Sequence, residues 1–538
     1  MSTVQSMVDV PANHGISKQF DFWLFYMHFH KDDRFVQKIL RYVYWGIGIG
    51  YKGQLDRVDI RNWPSALDYR EKVTEFIQKH LEDGSIQGPY DTVPHNFRSS
   101  PLGAFMKKGK TKIRVIHDLS WPPDKSVNDG IDKEDYSVSY ASVSDAVSMC
   151  SQYETPWLAK CDLADAYLSC PVQENDRDKI GFTWQENGID RYYRYASIPF
   201  GLRSSARAFS DLAEALLFIA KHRGVVNTAL SYLDDTIIVA GSESECRKSL
   251  QKMTETARKC GFVVQDEKTA GPARKLEFLG IQIDTESKKL QVTEERLQEI
   301  TLELQQWVGR DACTKRELLS LTGKLAFCAK VVTHGSKFTR RLIHTAKRVK
   351  NLHHKLTLSS EAKKDIVWWL KCIRNHNGVK WFESKIDKNK AELLFTDASD
   401  KAMAGVWATK WVMIQFAGEF AWMAKKSIAW REMAAVVMAV ATFGPWLKNR
   451  AVVMNIDNKG IQEAIKRGKS RDPQIMALIR SLYFYTATFK IEYDTVHLYS
   501  HVNASADALS RYDMQLFRTL NPGSDQLMTK PADFLIDF

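Results

Sequence analysis

Two adjacent carboxylates, Asp234 and Asp235, sit inside the stretch Ser231-Tyr232-Leu233-Asp234-Asp235-Thr236-Ile237-Ile238-Val239-Ala240-Gly241. Apolar and β-branched residues flank them, the pattern of a β-hairpin with the acids at its tip. Neighbouring like charges favour neither fold nor turn unless a cation joins them, and Mg²⁺ is held by one or two carboxylates together with substrate phosphates. A solvated turn is the ordinary alternative, and this stretch alone favours it. A third acid, Asp162, falls near the end of an apolar strand in Leu158-Ala159-Lys160-Cys161-Asp162-Leu163-Ala164-Asp165-Ala166-Tyr167. Two strands bringing three carboxylates to one point hold two Mg²⁺ ions roughly 4 Å apart, which activate an attacking hydroxyl and clamp a phosphate during in-line displacement. Hard oxygen ligands explain Asp rather than His or Cys. Further along, Asp397, Glu432, Asp457 and Asp507 each stand at the terminus of an expected strand or helix. Singly they are unremarkable; in the order Asp, Glu, Asp, Asp they suggest a second two-metal site.

Residues around the first set fit nucleotide chemistry, each with a plainer alternative. Tyr167, five residues after Asp162, is either a core tyrosine or a bulky ring that blocks a ribose 2′-hydroxyl. Pro199-Phe200-Gly201 before a helix is a common turn, and it also suits close backbone approach to a base and sugar, which glycine permits. Lys107 and Arg114 flank a Lys/Gly-rich turn between two strands. They are a solvated turn or, as point charge and planar fork, a grip on a triphosphate.

The elements that must position these residues follow from periodicity. A helix is expected at about 67–82 with Val73, Phe76, Ile77 and Leu81 on one face and Gly84 as its stop. Helices follow Ser205 and span about 243–259, and Lys275–Ile283 reads as another hairpin. The segment 293–350 reads as helical, with Thr314 and Glu317 as a capping box. Arg340, Arg341, Lys347, Arg348, Lys350 and Lys355 form a basic cluster there, either a solvated helix face or a duplex-tracking surface. Residues 376–391 look like a linker. Strands at 393–399 and 452–458, a helix from Trp430 and a last helix from Asn503 to Arg511 make a new α/β pattern, after which periodicity is lost. Residues 1–60 turn aromatic after a weak start, with no chemistry assigned.

The 538 residues suffice for three or four domains. Lys and Arg number 76 against 64 Asp and Glu, a net charge of +12 that suits a polyanionic partner such as nucleic acid. Eight scattered cysteines without a C-x-x-C pair argue against a zinc ribbon or disulfide scaffold and for a reducing, intracellular setting, cytoplasmic or nuclear. No signal peptide or membrane-spanning stretch is visible, and no membrane partner is expected.

Tyr232-Leu233-Asp234-Asp235 resembles the Tyr-x-Asp-Asp box of reverse transcriptases, and Asp162 through Tyr167 is similar to their first catalytic motif with its aromatic gate. Pro199-Phe200-Gly201 resembles the motif beneath the template and dNTP. Lys107 and Arg114 stand at the spacing of the fingers residues that hold the triphosphate. Gly261 with Lys268 resembles the next palm motif, and Phe278-Leu279-Gly280 the primer grip. The C-terminal pattern is similar to the ribonuclease H domain fused to retroelement polymerases, with Asp397, Glu432, Asp457 and Asp507 at its metal ligands and His497, or its rival His501, at its mobile histidine. Within about residues 65–512, strings such as Asn62-Trp63-Pro64-Ser65-Ala66, Ile116-His117-Asp118-Leu119-Ser120 and Ser126-Val127-Asn128-Asp129 resemble DIRS-type tyrosine-recombinase retrotransposons.

The resemblance implies an α/β (α+β) multidomain chain: an extension at 1–60, right-hand fingers and palm at 61–290, helical thumb and connection at 291–390, ribonuclease H at 391–512 and a tail at 513–538. It implies Mg²⁺, two per site, or Mn²⁺ in its place. The implied partners are RNA template, DNA primer, RNA–DNA hybrid and dNTPs, with a recombinase encoded elsewhere in the element. Competing readings are a domesticated, inactive nucleic-acid-binding protein and the polymerase of an LTR-type element.

Overall fold

The computed structural model describes residues 11–53, 60–94, 96–106, 113–186, 188–332, 334–375, 379–380, 390–498 and 502–538. The chain is mixed α/β and divides into two compact units, Met1–Leu279 with Asp284–Glu286, and Gly280–Ile283 with Ser287–Phe538.

The first unit is built on a sheet whose strands run in the order Ala270–Ala273, Trp157–Ala164, Asp235–Ala240, Ala229–Tyr232. Ile237, Ile238 and Val239 in the third of these are fully buried, as β-branched residues of a strand covered on both faces should be. The helices Ser205–His222 and Glu243–Lys259 pack against this sheet, and the Ser242 side chain caps the second by accepting from Glu245 N. The helix expected at 67–82 is Arg70–Glu82, preceded by a short turn of helix at Pro64–Asp68. Leu102–Met106 pairs with Ile113–His117 as expected, and the turn between them, with Lys107, lies outside the described residues.

Residues 11–53 join this unit's core. The helices Phe20–Met27 and Asp33–Trp45 bury Trp23, Met27, Ile39 and Val43 completely. Trp23 Nε1 donates to the Cys260 carbonyl at 3.0 Å, and Lys38 pairs with buried Asp211 at 2.5 Å.

In the second unit the helical stretch expected at 293–350 is broken. The helices Glu294–Trp307, Lys315–Cys328 and Gly335–Ala346 are separate, and Ala312–Thr314 forms a short strand against Lys355–Thr357. The Thr314–Glu317 capping box is present. Within the basic cluster, Arg340, Lys347, Arg348, Lys350 and Lys355 are exposed. Arg341 is not free for a ligand, because its Nε donates to Asp365 at 2.8 Å. The fully buried Arg480 holds the same carboxylate from Pro473–Thr488, through Nη2 at 2.7 Å.

The rest of the second unit is a five-stranded sheet in the order Lys410–Gln415, Ala402–Trp407, Glu392–Ala398, Ala451–Ile456, Glu492–His497. The first three strands are antiparallel and the last three parallel. The helix Ile428–Leu447, buried along most of its length, covers one face. The stretch after Arg511 is ordered into the unit. Helix Met514–Leu520 buries Phe517, and the chain then bonds to the edge strand through Thr529 N to the Trp411 carbonyl at 2.9 Å. All eight cysteines are free and buried, and among the described residues no helix is long and apolar enough to cross a membrane.

Candidate active sites

In the first unit, strand register places Asp162 directly opposite Asp235. The strands Ala229–Tyr232 and Asp235–Ala240 are joined by the two-residue turn Leu233-Asp234, in which Leu233 takes φ 52°. That left-handed conformation is uncommon outside glycine and asparagine. It sets Asp234 beside the neighbouring strand, where its carbonyl accepts from Leu163 N at 3.1 Å. Burial, and then the nearby Asp162 charge, raise Asp234 above the usual carboxylate range. Burial raises Asp235 to about 6, and the facing Asp162 and adjacent Asp234 push the same way against the pull of Lys160. Lys160 Nζ lies 3.0 Å from Asp235 and 4.0 Å from Asp162, while Lys268 Nζ donates to Asp162 at 3.2 Å. Lys268 thus reaches the carboxylates. Lys160 was not singled out from the sequence, although a residue two positions before Asp162 on a strand shares its face.

Tyr167 follows Asp165, itself at φ 45°, on the single turn Ala166–Ser169. Its half-buried ring stacks on Phe200 with centroids 4.8 Å apart, and the Arg114 guanidinium lies 5.4 Å from the Phe200 centroid on the ring's face. Tyr167, Phe200 and Arg114 therefore form one continuous surface. Asn128 holds the turn beneath it, a role with no local sequence signal. Its Nδ2 donates to the Gly201 carbonyl at 2.8 Å and to Ser120 Oγ at 2.9 Å, and its Oδ1 accepts from Arg203 N at 2.8 Å. Gly201 has φ 101°, and a Cβ there would stand 2.5 Å from the His117 carbonyl oxygen. Gly201→Ala is therefore expected to cost about 1–3 kcal/mol in backbone strain alone. A lowered thermal midpoint for the first unit checks this; an unchanged midpoint would contradict it.

Phe278 is fully buried, so its side chain serves the core, while Leu279 (φ 51°) and Gly280 (φ 76°) form the turn that follows.

In the second unit, Asp397 lies in the strand Glu392–Ala398 and Asp457 one residue past Ala451–Ile456. The parallel register pairs Phe395 with Asn455, so both acids sit two residues further on, at the carboxyl ends of neighbouring strands. Ligand sites commonly lie at that end of parallel strands. Glu432 comes from the first turns of helix Ile428–Leu447, whose start is fixed by Ser427 Oγ accepting from Trp430 N at 3.2 Å. One oxygen each of Asp397, Glu432 and Asp457 lie within 4.8 Å of one another. Glu432 is 4% exposed and its Oε2 has no hydrogen-bond partner. Burial, followed by the charges of Asp397 and Asp457, pushes Glu432 up to about 9. Burial also raises Asp397 to about 7, against a hydrogen bond from Ser510 Oγ. Three oxygen donors, two of them costly to ionise alone and one buried without a partner, fit a divalent cation.

Asp507 stands apart from this group. It lies on Ala504–Ser510 with its Oδ1 accepting from Arg511 Nε at 2.8 Å, and it acts on Asp397 through its charge. His497 ends the strand Glu492–His497, and its Nε2 donates to the Asp457 carbonyl at 3.0 Å. His501 lies outside the described residues.

These shifts fix a pH dependence. Asp397 and Glu432 hold protons more tightly folded than unfolded, so without metal the folded state carries the extra protons. Stability of the second unit then falls as pH rises from the ordinary carboxylate range toward about 9. Thermal unfolding in EDTA is expected to give a lower midpoint at high pH than at pH near 5, and Mg²⁺ to restore it. An equal or higher midpoint at high pH contradicts the assignment.

Residues 106–283 match the family described as reverse transcriptase (RNA-dependent DNA polymerase). The Gag-Pol polyprotein of gibbon ape leukemia virus is 25% identical over 230 residues, 41% of this chain and 13% of that protein. The Tf2-3 transposon polyprotein of Schizosaccharomyces pombe is 23% identical over 470 residues, 85% of this chain and 32% of that protein. The chain thus spans a third or less of the polyproteins it matches. Among solved structures, a foamy viral protease–reverse transcriptase in complex with double-stranded DNA is similar at a TM-score of 0.49 and 14% identity, over 88% of this chain and 96% of that one. Residues 106–283 are therefore a reverse transcriptase domain of the kind carried by retroviral and transposon polyproteins.

Proposed function

We propose that the chain is an RNA-directed DNA polymerase of a retroelement with a ribonuclease H that removes the RNA strand of the hybrid it makes. The observation that carries this is the pairing, in one chain, of two acid sites. One is Asp162 facing Asp235, with Asp234 in the adjoining turn, within a reverse transcriptase domain; the other is the Asp397–Glu432–Asp457 group. Residues 61–290 serve as fingers and palm, 291–390 as thumb and connection and 391–512 as the nuclease, with the described part of 1–60 packed into the polymerase core.

In synthesis, Asp162 and Asp234 would hold Mg²⁺, two ions per site, with Asp235 beside them. Bound there, the metal lowers the pKa of the primer 3′-hydroxyl and stabilises charge on the phosphate. Arg114, with Lys107, grips the triphosphate of the dNTP. Phe200 and Gly201 meet the base and sugar, Lys268 sits at the phosphate side of Asp162, and the turn at Leu279-Gly280 supports the primer. Tyr167 excludes the 2′-hydroxyl. Its removal in Tyr167→Ala is expected to raise ribonucleotide incorporation by at least about tenfold, the scale of one lost steric contact. Unchanged sugar selectivity would make Tyr167 a packing residue only.

In cleavage, Asp397, Glu432 and Asp457 would hold the metal pair, Asp507 adds charge and His497 stands by for proton transfer. Recognition of 2′-hydroxyls across the minor groove confines cutting to RNA. The basic excess suits both nucleic acids. The similarity to Gag-Pol and transposon polyproteins favours an LTR-type element as the second reading beside the DIRS-type one. A primed RNA template with dNTPs and Mg²⁺ tests the proposal: primer extension with loss of template RNA is expected. A folded chain that binds hybrid and does neither would point to an inactive nucleic-acid-binding protein.

A further inference from the structure

We propose that Lys160 is a positioning residue of the polymerase site. Its ammonium claims Asp235, leaving Asp162 and Asp234 as the carboxylates that bind metal. The inference rests on the polymerase reading above.

The strand carrying Lys160 is central to its sheet. Lys160 pairs with Ile237 on one side and with Ala270 on the other, so its backbone is fixed. It shares a strand face with Asp162, two residues on. The register also brings Asp235 to that face, opposite Asp162. Like charges directly across a strand pair are destabilising, and a cation on the diagonal relieves them. Lys160 Nζ does so unequally, at 3.0 Å from Asp235 and 4.0 Å from Asp162. Its side chain is only 17% exposed, so leaving Asp235 would strand a largely buried charge. Lys268 differs: it reaches Asp162 from a loop with its side chain 52% exposed, and can withdraw into water. Asp234 has no such counter-ion among the ion pairs of the described residues. A site with one acid neutralised in advance is a two-carboxylate site.

The test uses the full chain carrying Asp457→Asn and Glu432→Gln to silence the second site, with a chain-terminated primer–template and the matching dNTP. Mn²⁺ affinity is read by electron paramagnetic resonance, and extension is read separately on an unblocked primer. Lys160→Met frees Asp235 and adds a net negative charge, so Mn²⁺ binding is expected to tighten about tenfold while extension falls. Lys160→Arg is expected to keep both within about twofold. Asp235→Asn leaves the Lys160 charge unbalanced 4.0 Å from Asp162, so Mn²⁺ affinity should fall by about tenfold at most, whereas Asp234→Asn should remove the binding. The proposal is overturned if Asp235→Asn weakens Mn²⁺ binding as much as Asp234→Asn does, or if Lys160→Met leaves the affinity unchanged. If the parent extends primers in either case, only the role of Lys160 falls. A parent that neither extends primers nor binds Mn²⁺ in this background removes the polymerase reading and this inference together.

Discussion

Asp234→Asn is expected to abolish DNA synthesis while cleavage of an RNA–DNA hybrid continues. The substitution keeps the size of the side chain and the Leu233-Asp234 turn, whose bond to Leu163 N uses only backbone. What is lost is a negative oxygen at a position where burial already makes ionisation costly, a cost that a bound metal offsets. Metal stabilisation of the transferring phosphate is worth several kcal/mol, so extension should fall by about 10³-fold or more. Circular dichroism and hybrid binding should match the parent. Hybrid cleavage is the internal control, because its carboxylates belong to the other compact unit. Loss of both activities would mean that the two sites do not act independently; retained synthesis would remove Asp234 from the reaction.

Asp457→Asn should give the opposite outcome. Cleavage of the RNA strand should fall by about 10³-fold or more, and primer extension should persist. A second readout separates this from damage to the fold. In the metal-free protein the three acids repel one another, and Asp457 is among the charges that raise both Asp397 and Glu432. Neutralising it relieves that repulsion, so the second unit should unfold at the same or a higher temperature in EDTA, and Mg²⁺ should stabilise it less than the parent. Persistent cleavage would sink the nuclease assignment; a markedly lower midpoint would instead mean that Asp457 is needed for packing.

Much of both sites was legible because each acid lies within a short apolar run or at its end, so local pattern and spacing locate it without tertiary information. The strand that carries Asp162, the turn at Leu233-Asp234 and the strand-end positions of Asp397 and Asp457 all follow this rule. Features set by distant partners were not legible. The helix Phe20–Met27 exposes Leu24 and Phe25 while burying Trp23 and Met27, which blurs the helical period. The break in 293–350 has a readable half, Gly309 at φ 89°, and an unreadable one, His334 at φ 66°. The stretch after Arg511 is held by partners distant in sequence, through backbone bonds to Thr409 and Trp411 and side-chain bonds involving Trp411, Tyr485 and Thr442, which need no local period. Arg341 reads as one more exposed cation until Asp365 and Arg480 are placed beside it. Asp507 fits the acid series by order alone, and only geometry sets it outside the group of three.

On the proposed reading, one chain holds two separate metal-dependent chemistries. The most direct measurement is a single reaction on an RNA template labelled in one colour and a DNA primer labelled in another, with dNTPs and Mg²⁺, for the parent, Asp234→Asn and Asp457→Asn. Extended primer and shortened RNA are expected for the parent, and shortened RNA alone for Asp234→Asn when a preformed hybrid is supplied. Extended primer on intact RNA is expected for Asp457→Asn. A parent that binds the duplex yet changes neither label, or variants that lose both activities together, would contradict this reading.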